Sequence, residues 1–467
     1  MRMRLILVCI VSLTALPMVW ANGLTLRIQE PASPRKARCW VTWANGWNDL
    51  SSGGNHDAVW LFGREAQTGP LRVQSAAIIT GAERFQLRIA SDRLGLWLLS
   101  AAGRSFERDS ALVEIEWSTE VNLLRLCALE MVLIPPGPFW VGDSLSNNTL
   151  CQYGSRRPFQ IHGDTGLSLN QDGELATGDE PSGPLPSGFP IGTQGFFCMK
   201  YEVSQALWAD FVNDLPAEDK ALLYPELGQN QLPAAFTYKR SQLSVSTSGQ
   251  VLVRYGGARA MGGLSWTDLL AFLDWACLRP LTETEFEKAC RGPLRPIPKE
   301  YAWGTPHAQA PLDSLQYDGT LAETETAPTD AETGMANFAR FVGLPYLDGP
   351  ARQGFAAKPE PNRINAGAGY YGCFELSGNV WEQCVRLMMP NSTFSSDPGD
   401  GKLASGRANQ PGWQGISPIV RGGGHASILV DALSYPYRDL AVSDRFYINY
   451  TGTQRRSTTG GRGARGW

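Results

Sequence analysis

The chain has 467 residues, of which 43% are hydrophobic, and this is enough material for more than one hydrophobic core. The formal net charge is −4 at pH 7, and no cluster of lysine and arginine occurs before the last residues. The composition therefore argues against a nucleic-acid-binding protein, which would need a basic surface.

Residues 1–21 have the pattern of a secretory signal peptide. Arg2 and Arg4 precede an apolar run, and Val19 and Ala21 are small residues at a cleavage-like position. The alternative is an uncleaved membrane anchor, but the apolar run is short for a bilayer span and contains Ser, Thr and Pro. We therefore expect an exported protein, located in the periplasm, at the cell surface or secreted, with no membrane insertion after the signal is removed.

Removal of the signal peptide would take away Cys9 and leave eight of the nine cysteines. An even number of cysteines in an exported chain permits disulfides, although the sequence does not determine their pairing. The chain has no CxxC motif, and its four histidines are far apart in sequence. A zinc site or a histidine-rich metal site is therefore disfavoured.

Residues 22–118 contain short runs of alternating apolar residues separated by turn-forming pieces such as SSGG and TGP. Such runs, without a long helix, predict an all-β sandwich domain. Some tryptophans of this segment would form either a sugar-stacking platform or, as we favour, part of the sandwich core. They are Trp40, Trp43, Trp47 and Trp60.

A linker is predicted at 119–130, followed by a second module at 131–467. Within this module, segment 144–194 is rich in Gly, Asp, Asn, Ser and Pro and lacks a periodic apolar pattern, and segment 305–330 is a second insertion. Both are predicted to be inserted surface loops.

Three helices are predicted in the second module. Ser204 precedes the first helical apolar pattern as an N-cap residue, and either Ser265 or Thr267 caps the second. The third helix begins with a Thr-x-x-Glu capping box at Thr282 and ends at Gly292. We expect these helices to be part of the scaffold.

The second module also carries the most specific motifs of the chain. In order, they are MVLIPPGPFWVGD at 131–143, LTETEFEKACRG at 281–292, YAWG at 301–304, GYYGCFELSGNVWEQ at 369–383 and IVRGGG at 419–424. Their order and spacing resemble the formylglycine-generating enzyme family, which has the sulfatase-modifying-factor fold, a relative of the C-type lectin fold. The resemblance implies an α+β protein in which such a domain follows the all-β sandwich.

The LSGNVWE segment resembles a calcium site of that family. Calcium takes oxygen ligands only, often a mixture of backbone carbonyls and carboxylates. The resemblance implies that the carbonyl groups of Gly378 and Val380 and the side chains of Glu375 and Glu382 bind the ion.

Two points about calcium stay open at this stage. Glu382 could instead form an ion pair with an arginine such as Arg421 or Arg462. A further calcium site of the family would begin at Asn337, and Asp348 is the nearest acid that could complete it.

The family resemblance also implies an oxidase that binds copper(I) through two cysteines, six and eleven residues beyond the Arg of the Arg-Gly-Gly element. Those positions hold Ser427 and Ala432 in this chain, and no cysteine follows Cys384. Serine is a poor ligand for a soft metal and alanine is none, so neither copper nor formylglycine generation is expected. A hydrolase using Ser427, His425 and Asp431 is disfavoured because the spacing provides no nucleophile elbow.

The chain beyond Ser427 is rich in Ser, Tyr, Asn, Thr, Arg and Asp, and Tyr and Arg are residues that suit recognition surfaces. This arrangement resembles the variable proteins of diversity-generating retroelements, in which exposed positions near the C-terminus are randomised to bind varied partners. The alternative is the ordinary polar surface of a family member. The resemblance implies a buried frame of Arg421, Gly422, Gly423, Ala441, Val442, Arg445, Gly461 and Gly463. The exposed binding set would be Ser427, Asp431, Tyr435, Tyr437, Tyr447, Asn449, Tyr450, Gln454 and Arg455.

We therefore expect an exported, non-catalytic protein whose C-terminal lectin-like surface binds an extracellular protein or glycan. Two other functions remain open. One is a structural component of a bacterial surface or secretion assembly. The other is an oxidoreductase of the formylglycine-generating type, acting on cysteine in sulfatases.

Overall fold

The computed structural model describes residues 18–19, 23–29, 33–49, 53–146, 148–163, 167–178, 182–311, 314–320, 322–325, 328, 330–339, 346–357, 362–387, 393–427 and 438–467. Most of the predicted signal peptide lies outside these residues. Four residues named above, Asp431, Ala432, Tyr435 and Tyr437, also lie outside them. Within the described ranges, no helix is long and apolar enough to cross a membrane.

The fold is mixed and sheet-rich, with few helices. The α-helices of the described chain are α1 (Gln205–Asp214), α2 (Ala217–Leu223), α3 (Trp266–Trp275) and α4 (Glu283–Arg291). Short 3-10 helices span Pro225–Gln229, Ala234–Phe236, Tyr255–Gly257 and Arg438–Leu440.

Strands account for most of the regular structure. Those of the N-terminal part are β1 (Met18–Val19), β2 (Thr25–Ile28), β3 (Lys36–Trp47), β4 (Asp57–Glu65), β5 (Gly69–Pro70), β6 (Val73–Thr80), β7 (Phe85–Ile89), β8 (Leu96–Ser100), β9 (Ser105–Trp117) and β10 (Leu124–Ile134). Those that follow are β11 (Phe139–Val141), β12 (Cys151–Gln152), β13 (Phe159–Ile161), β14 (Ser168–Leu169), β15 (Leu175–Ala176), β16 (Gly183–Pro184), β17 (Phe196–Met199), β18 (Leu243–Val245), β19 (Val251–Val253), β20 (Arg279–Pro280), β21 (His307–Gln309), β22 (Thr333–Met335), β23 (Trp381–Val385), β24 (Leu403–Ala404), β25 (Arg407–Ala408), β26 (Pro418–Arg421), β27 (Thr459–Gly460) and β28 (Gly463–Gly466).

The first sheet is built entirely from the N-terminal part and has the strand order β1-β2-β3-β9-β6. Its centre is the long antiparallel pair of β3 and β9, in register from Lys36 opposite Glu116 to Trp47 opposite Ser105. Alternation along β3 turns Cys39, Val41 and Trp43 into the core, where each is fully buried. β1 lies within the predicted signal peptide and pairs with β2 at the edge of this sheet.

The second sheet crosses the predicted domain boundary. Its order is β20-β28-β17-β10-β4-β8-β7, so strands from the first hundred residues are continuous with strands from the C-terminal end. β10 pairs with β4 on one side and with β17 on the other. The separate β-sandwich predicted for 22–118 is therefore not what is seen, and the predicted linker 119–130 is wrong from residue 124 onward, where buried strand β10 begins.

The two sheets pack against each other through large aromatic side chains. A Cβ atom on Gly63 of β4 would lie 2.3 Å from the ring of Trp117 in β9, so glycine is needed for this close approach. Trp43 and Trp60 are fully buried, as expected of core residues. Trp40 and Trp47 are only half-buried, so these two differ from the core interpretation.

The two predicted surface loops contain ordered structure. Segment 144–194 includes a small sheet with the order β12-β15-β14-β16, in which Leu169 and Leu175 are fully buried. In segment 305–330, the buried carboxylate of Glu323 forms ion pairs with Arg240 and Arg259. The sequence did not predict this structure, because short strands and buried ion pairs produce little apolar periodicity.

The predicted helix starts and stops are confirmed. The Ser204 side chain accepts a hydrogen bond from the Leu207 amide, and Thr282 forms a complete capping box with Glu285. Gly292 ends α4 with a φ of 66°, a conformation that glycine adopts without strain.

Ser265, and not Thr267, caps α3. Its hydroxyl accepts from the Asp268 amide at 3.2 Å, while Thr267 is exposed. We expect Ser265→Ala to lower the free energy of unfolding by about 1–2 kcal/mol, because the Asp268 amide loses its cap, whereas Thr267→Ala should change it by less than about 0.5 kcal/mol. Urea denaturation of the two variants checks this, and equal losses would contradict the assignment.

Candidate functional site

The two C-terminal sequence blocks meet in a three-stranded sheet of order β26-β23-β27. β23 pairs antiparallel with β26, placing Glu382 opposite Arg421, and parallel with β27, placing Trp381 opposite Thr459. The Gly378 amide also donates to the Gly422 carbonyl at 2.7 Å. The GNVWE and RGGG motifs are therefore neighbours in space, although about forty residues separate them in sequence.

The frame inferred for this region is buried. Arg421 is fully buried and forms ion pairs with Glu283 at 3.2 Å and Glu287 at 2.6 Å, both on α4. Arg445 also forms an ion pair with Glu283, at 2.6 Å. Burial alone would raise the pKa of Glu283, but Arg445 and Arg421 hold it below its usual value. Charged groups thus hold the C-terminal segment to α4 in a single arrangement.

The predicted calcium ligand Glu382 forms an ion pair with an arginine. Its two carboxylate oxygens accept from Arg462 Nε at 2.6 Å and Nη2 at 2.7 Å, with both side chains buried. Arg462 also donates to the carbonyl oxygens of Met199, Lys200 and Phe374, at 3.1, 3.2 and 2.6 Å. A guanidinium thus stands where calcium was predicted, and its charge opposes the binding of a second cation.

The other predicted calcium ligands have different roles. Glu375 Oε1 accepts from the Gly354 amide at 2.7 Å, and its second oxygen is buried without a hydrogen-bond partner. The Val380 amide donates to Glu202, which approaches the same turn. The residues present therefore do not fit calcium, and among the described residues no group of three or more His, Cys, Asp or Glu side chains is placed to hold a metal ion.

Around Glu382, the buried carboxyl groups outnumber the neighbouring cations. The pKa of Glu375 is raised to about 7, mainly by burial and also by the nearby carboxylate of Glu382, against the effects of the Gly354 amide, Arg462 and Arg352. Burial also raises the pKa of Glu202, to which Glu375 and Glu382 add repulsion. Part of this cluster is therefore protonated near neutral pH.

The second predicted calcium site is not assembled. Asn337 donates to Asn379 Oδ1 at 3.1 Å and to a backbone carbonyl. Asp348 instead accepts from the Tyr238 hydroxyl at 2.9 Å and forms an ion pair with Lys239. Asn337 and Asp348 thus have separate partners.

The disfavoured hydrolase arrangement can be examined only at Ser427 and His425, because Asp431 lies outside the described residues. The Ser427 hydroxyl accepts from the Gly424 amide at 3.1 Å, and no hydrogen bond joins it to His425. Burial lowers the pKa of His425 to about 4, so this histidine is neutral at physiological pH. Ser427, which was predicted to belong to the exposed binding set, is 5% exposed and stabilises a tight turn.

The eight cysteines of the described residues are free thiols. The thiols of Cys198 and Cys373 hydrogen-bond to each other. Burial raises the pKa of Cys39 to about 12 and that of Cys384 well above its usual value. A buried thiol that stays protonated is a poor metal ligand.

A half-exposed group of rings lies beside the three-stranded sheet. The rings of Trp381 and Tyr447 pack edge-to-face with their centroids 5.2 Å apart, and the ring centroids of Tyr447 and Phe446 are 5.1 Å apart. Tyr450 follows one turn later, its amide donating to the Tyr447 carbonyl, and its hydroxyl donates to Gln383 at 3.2 Å. We call Trp381, Phe446, Tyr447 and Tyr450 the aromatic surface.

The predicted binding set only partly coincides with this surface. Tyr447, Asn449 and Gln454 are exposed, and Tyr450 is half-buried. Arg455 is held by a two-point ion pair with the buried Asp268, at 2.8 Å, so it is structural.

Sequence reasoning missed two members of the aromatic surface. Phe446 is 47% exposed, and the side chain of Arg438 lies over its ring at 3.8 Å. Trp381 is not in the predicted binding set either. The aromatic run RFYINY signals Phe446, but the exposure of Trp381 depends on the pairing of β23 and has no local signal.

Comparison with known proteins agrees with these motifs. Residues 124–447 match the sulfatase-modifying factor enzyme 1-like domain, so the match begins with β10 and not at residue 131. A stretch of 125 residues is 31% identical to a formylglycine-generating enzyme of Thermomonospora curvata, covering 26% of this chain and 31% of that protein. The domain match spans more than half of the 467 residues, and it confirms the family expected from the motifs. The chain therefore belongs to the sulfatase-modifying factor enzyme 1-like family.

Proposed function

We propose that this chain is an exported, non-catalytic binding protein that uses the aromatic surface to bind an extracellular protein or glycan. The observation that carries the proposal is the surface itself. Tyr447 is 40% exposed and Phe446 is 47% exposed. Their rings contact each other, and the ring of Tyr447 also contacts Trp381. Large rigid rings with polar tips are typical of recognition surfaces, because they bury much area at little entropic cost.

The support beneath the aromatic surface suits binding. Trp381 begins β23, whose neighbours are held by the buried ion pairs of Arg421 and Arg462. A rigid base reduces the ordering that a partner would have to impose, and this favours affinity.

The non-catalytic part of the proposal rests on the copper positions. Serine and alanine stand at 427 and 432, and Ser427 is buried in a turn with its hydroxyl already bonded. Incubating the protein with a cysteine-containing sulfatase-type peptide, copper and oxygen tests this directly. We expect no loss of mass at the peptide cysteine, and a loss of mass would support the oxidoreductase alternative.

A second part of the proposal is that the exposed positions are diversified, so that they vary between isolates. Sequencing the coding region for residues 419–467 across sister isolates, with 195–300 as control, tests it. Substitutions at Tyr447, Asn449 and Gln454 that spare Arg421 and Gly422 would support a diversified receptor. Equal and low variation in both regions would favour a fixed partner, as in a structural assembly of the cell surface.

We expect Tyr447→Ala to weaken partner binding at least tenfold, because it removes the ring that joins Trp381 and Phe446. The labelled protein can be applied to a glycan array and to an extracellular protein fraction. The matched control is Tyr255→Ala, since Tyr255 is 67% exposed and lies outside the aromatic surface. Equal retention of binding by both variants would contradict the proposal.

A further inference from the structure

A pocket of about 460 Å³ lies where the end of β3 meets the segment 366–374. Its walls combine aromatic side chains and polar side chains, principally Trp47, Tyr370, Tyr371, Phe374, Asn45 and Arg363. None of these residues belongs to the aromatic surface. The pocket joins the N-terminal strands to the family domain, and the proposed function makes no use of it.

Trp47 is held in a defined orientation at this pocket. Its indole nitrogen donates to Asn55 Oδ1 at 2.9 Å, and the Lys200 ammonium lies 4.8 Å from its ring centre. A Cβ atom on Gly372, where φ is +91°, would lie 2.9 Å from the ring, so glycine gives this edge of Trp47 its room. A half-buried, fixed indole is a preorganised stacking face.

Tyr371 places a hydroxyl group in the same pocket. Its ring contacts Tyr370 edge-to-face at 4.9 Å, and the side chain is only 7% exposed. The hydroxyl makes no hydrogen bond to any residue that the structure describes, although the Tyr371 carbonyl accepts from Asn55 at 3.2 Å. An apolar ligand in the pocket would remove water from this hydroxyl without replacing its hydrogen bonds, so a polar ligand satisfies it better.

The charges around the pocket do not select an anion. Lys200 is neutralised by Asp57 at 3.3 Å and Glu130 at 3.2 Å. Asp49 and Arg363, which also line the pocket, carry opposite charges. One N–H group of Arg363 already donates to the Ala368 carbonyl at 3.0 Å.

We propose that this pocket binds a neutral pyranose saccharide. The C–H groups on one face of a pyranose carry partial positive charge and pack on the negative faces of aromatic rings such as Trp47 and Tyr370. Its hydroxyls can both donate and accept, which matches the Tyr371 hydroxyl, the Asn45 amide and the remaining Arg363 N–H groups. The volume is within the range of small-molecule sites, and a purely apolar ligand would leave the Tyr371 hydroxyl unsatisfied.

The test is a titration of the full chain with cellobiose, maltose and N,N′-diacetylchitobiose. Binding is monitored by tryptophan fluorescence and by saturation-transfer NMR. We expect at least one of these disaccharides to bind saturably. Tyr371→Phe keeps the ring and removes only the hydroxyl, and it should weaken binding about tenfold. Trp47→Ala should weaken binding at least tenfold through loss of stacking.

Two control variants keep the result interpretable. Trp40→Ala changes a half-buried tryptophan of the same strand outside the pocket, and Tyr447→Ala changes the aromatic surface. Both should leave disaccharide binding unchanged. The proposal is overturned if none of the three disaccharides binds saturably, or if Tyr371→Phe binds as tightly as the unaltered chain. Loss of binding in Tyr447→Ala alone would assign the saccharide to the aromatic surface and would also overturn it.

Discussion

Replacing Glu382 with glutamine is expected to lower the free energy of unfolding by about 3–5 kcal/mol, because the buried Arg462 guanidinium would lose its counterion. Both carboxylate oxygens of Glu382 accept from Arg462, and neither side chain is more than 1% exposed. An uncompensated buried charge is among the most destabilising single changes in a folded protein. Urea denaturation at neutral pH measures the loss.

The matched control is Glu114→Gln, which alters an ion pair at the surface. Glu114 pairs with Arg38 at 2.8 Å, and the Arg38 side chain is 44% exposed. Solvent screens this pair, so the expected loss is much smaller than that of Glu382→Gln.

Thermal melting of the same variant, with and without a chelator, tests whether Arg462 or calcium is the partner of Glu382. A chelator should leave the melting temperature of the unaltered chain unchanged, because Arg462 already supplies the positive charge at Glu382. A calcium-dependent rise in melting temperature that disappears in Glu382→Gln would show that the ion, and not Arg462, is the partner of this carboxylate.

Replacing Glu375 with glutamine should have the opposite effect and raise the free energy of unfolding at pH 8 by about 1–3 kcal/mol. Burial and the nearby Glu382 raise the pKa of Glu375 to about 7, so at pH 8 its ionised form is buried at a cost. The second oxygen of Glu375 is buried without a partner, whereas the first accepts from the Gly354 amide. Glutamine keeps that acceptor and removes the charge.

The stability gained through Glu375→Gln should depend on pH. A carboxyl whose pKa is raised by folding binds more protons in the folded state between about pH 4.5 and pH 7, so stability falls as pH rises through that window. The advantage of Glu375→Gln should therefore be full at pH 8 and nearly absent at pH 4.5. Denaturation curves at both pH values check this, and a variant equally destabilised at both would show that the ionised carboxylate has a stabilising partner.

Local signals in the sequence predicted much of the scaffold. Ser204, Thr282 and Gly292 begin or end helices, as their side-chain chemistry and backbone freedom require. The interpretation of Trp43 in β3 as a core residue is confirmed. The ordered motifs identified the family, because each depends on a short stretch of chain whose neighbours are close in sequence.

The partners of these elements were not predictable in the same way. The continuous apolar run of β4 is compatible with any sheet. Only the folded chain shows that β4 pairs with β10 and so merges the predicted sandwich with the family domain. Residue type marked Glu382 as a charged group at a turn, but only the packed core shows that it pairs with Arg462, eighty residues away. The burial of Ser427 and the exposure of Trp381 likewise depend on strand pairing between distant segments. Periodicity and capping are local properties of a chain, whereas the choice of a buried partner depends on long-range packing and charge.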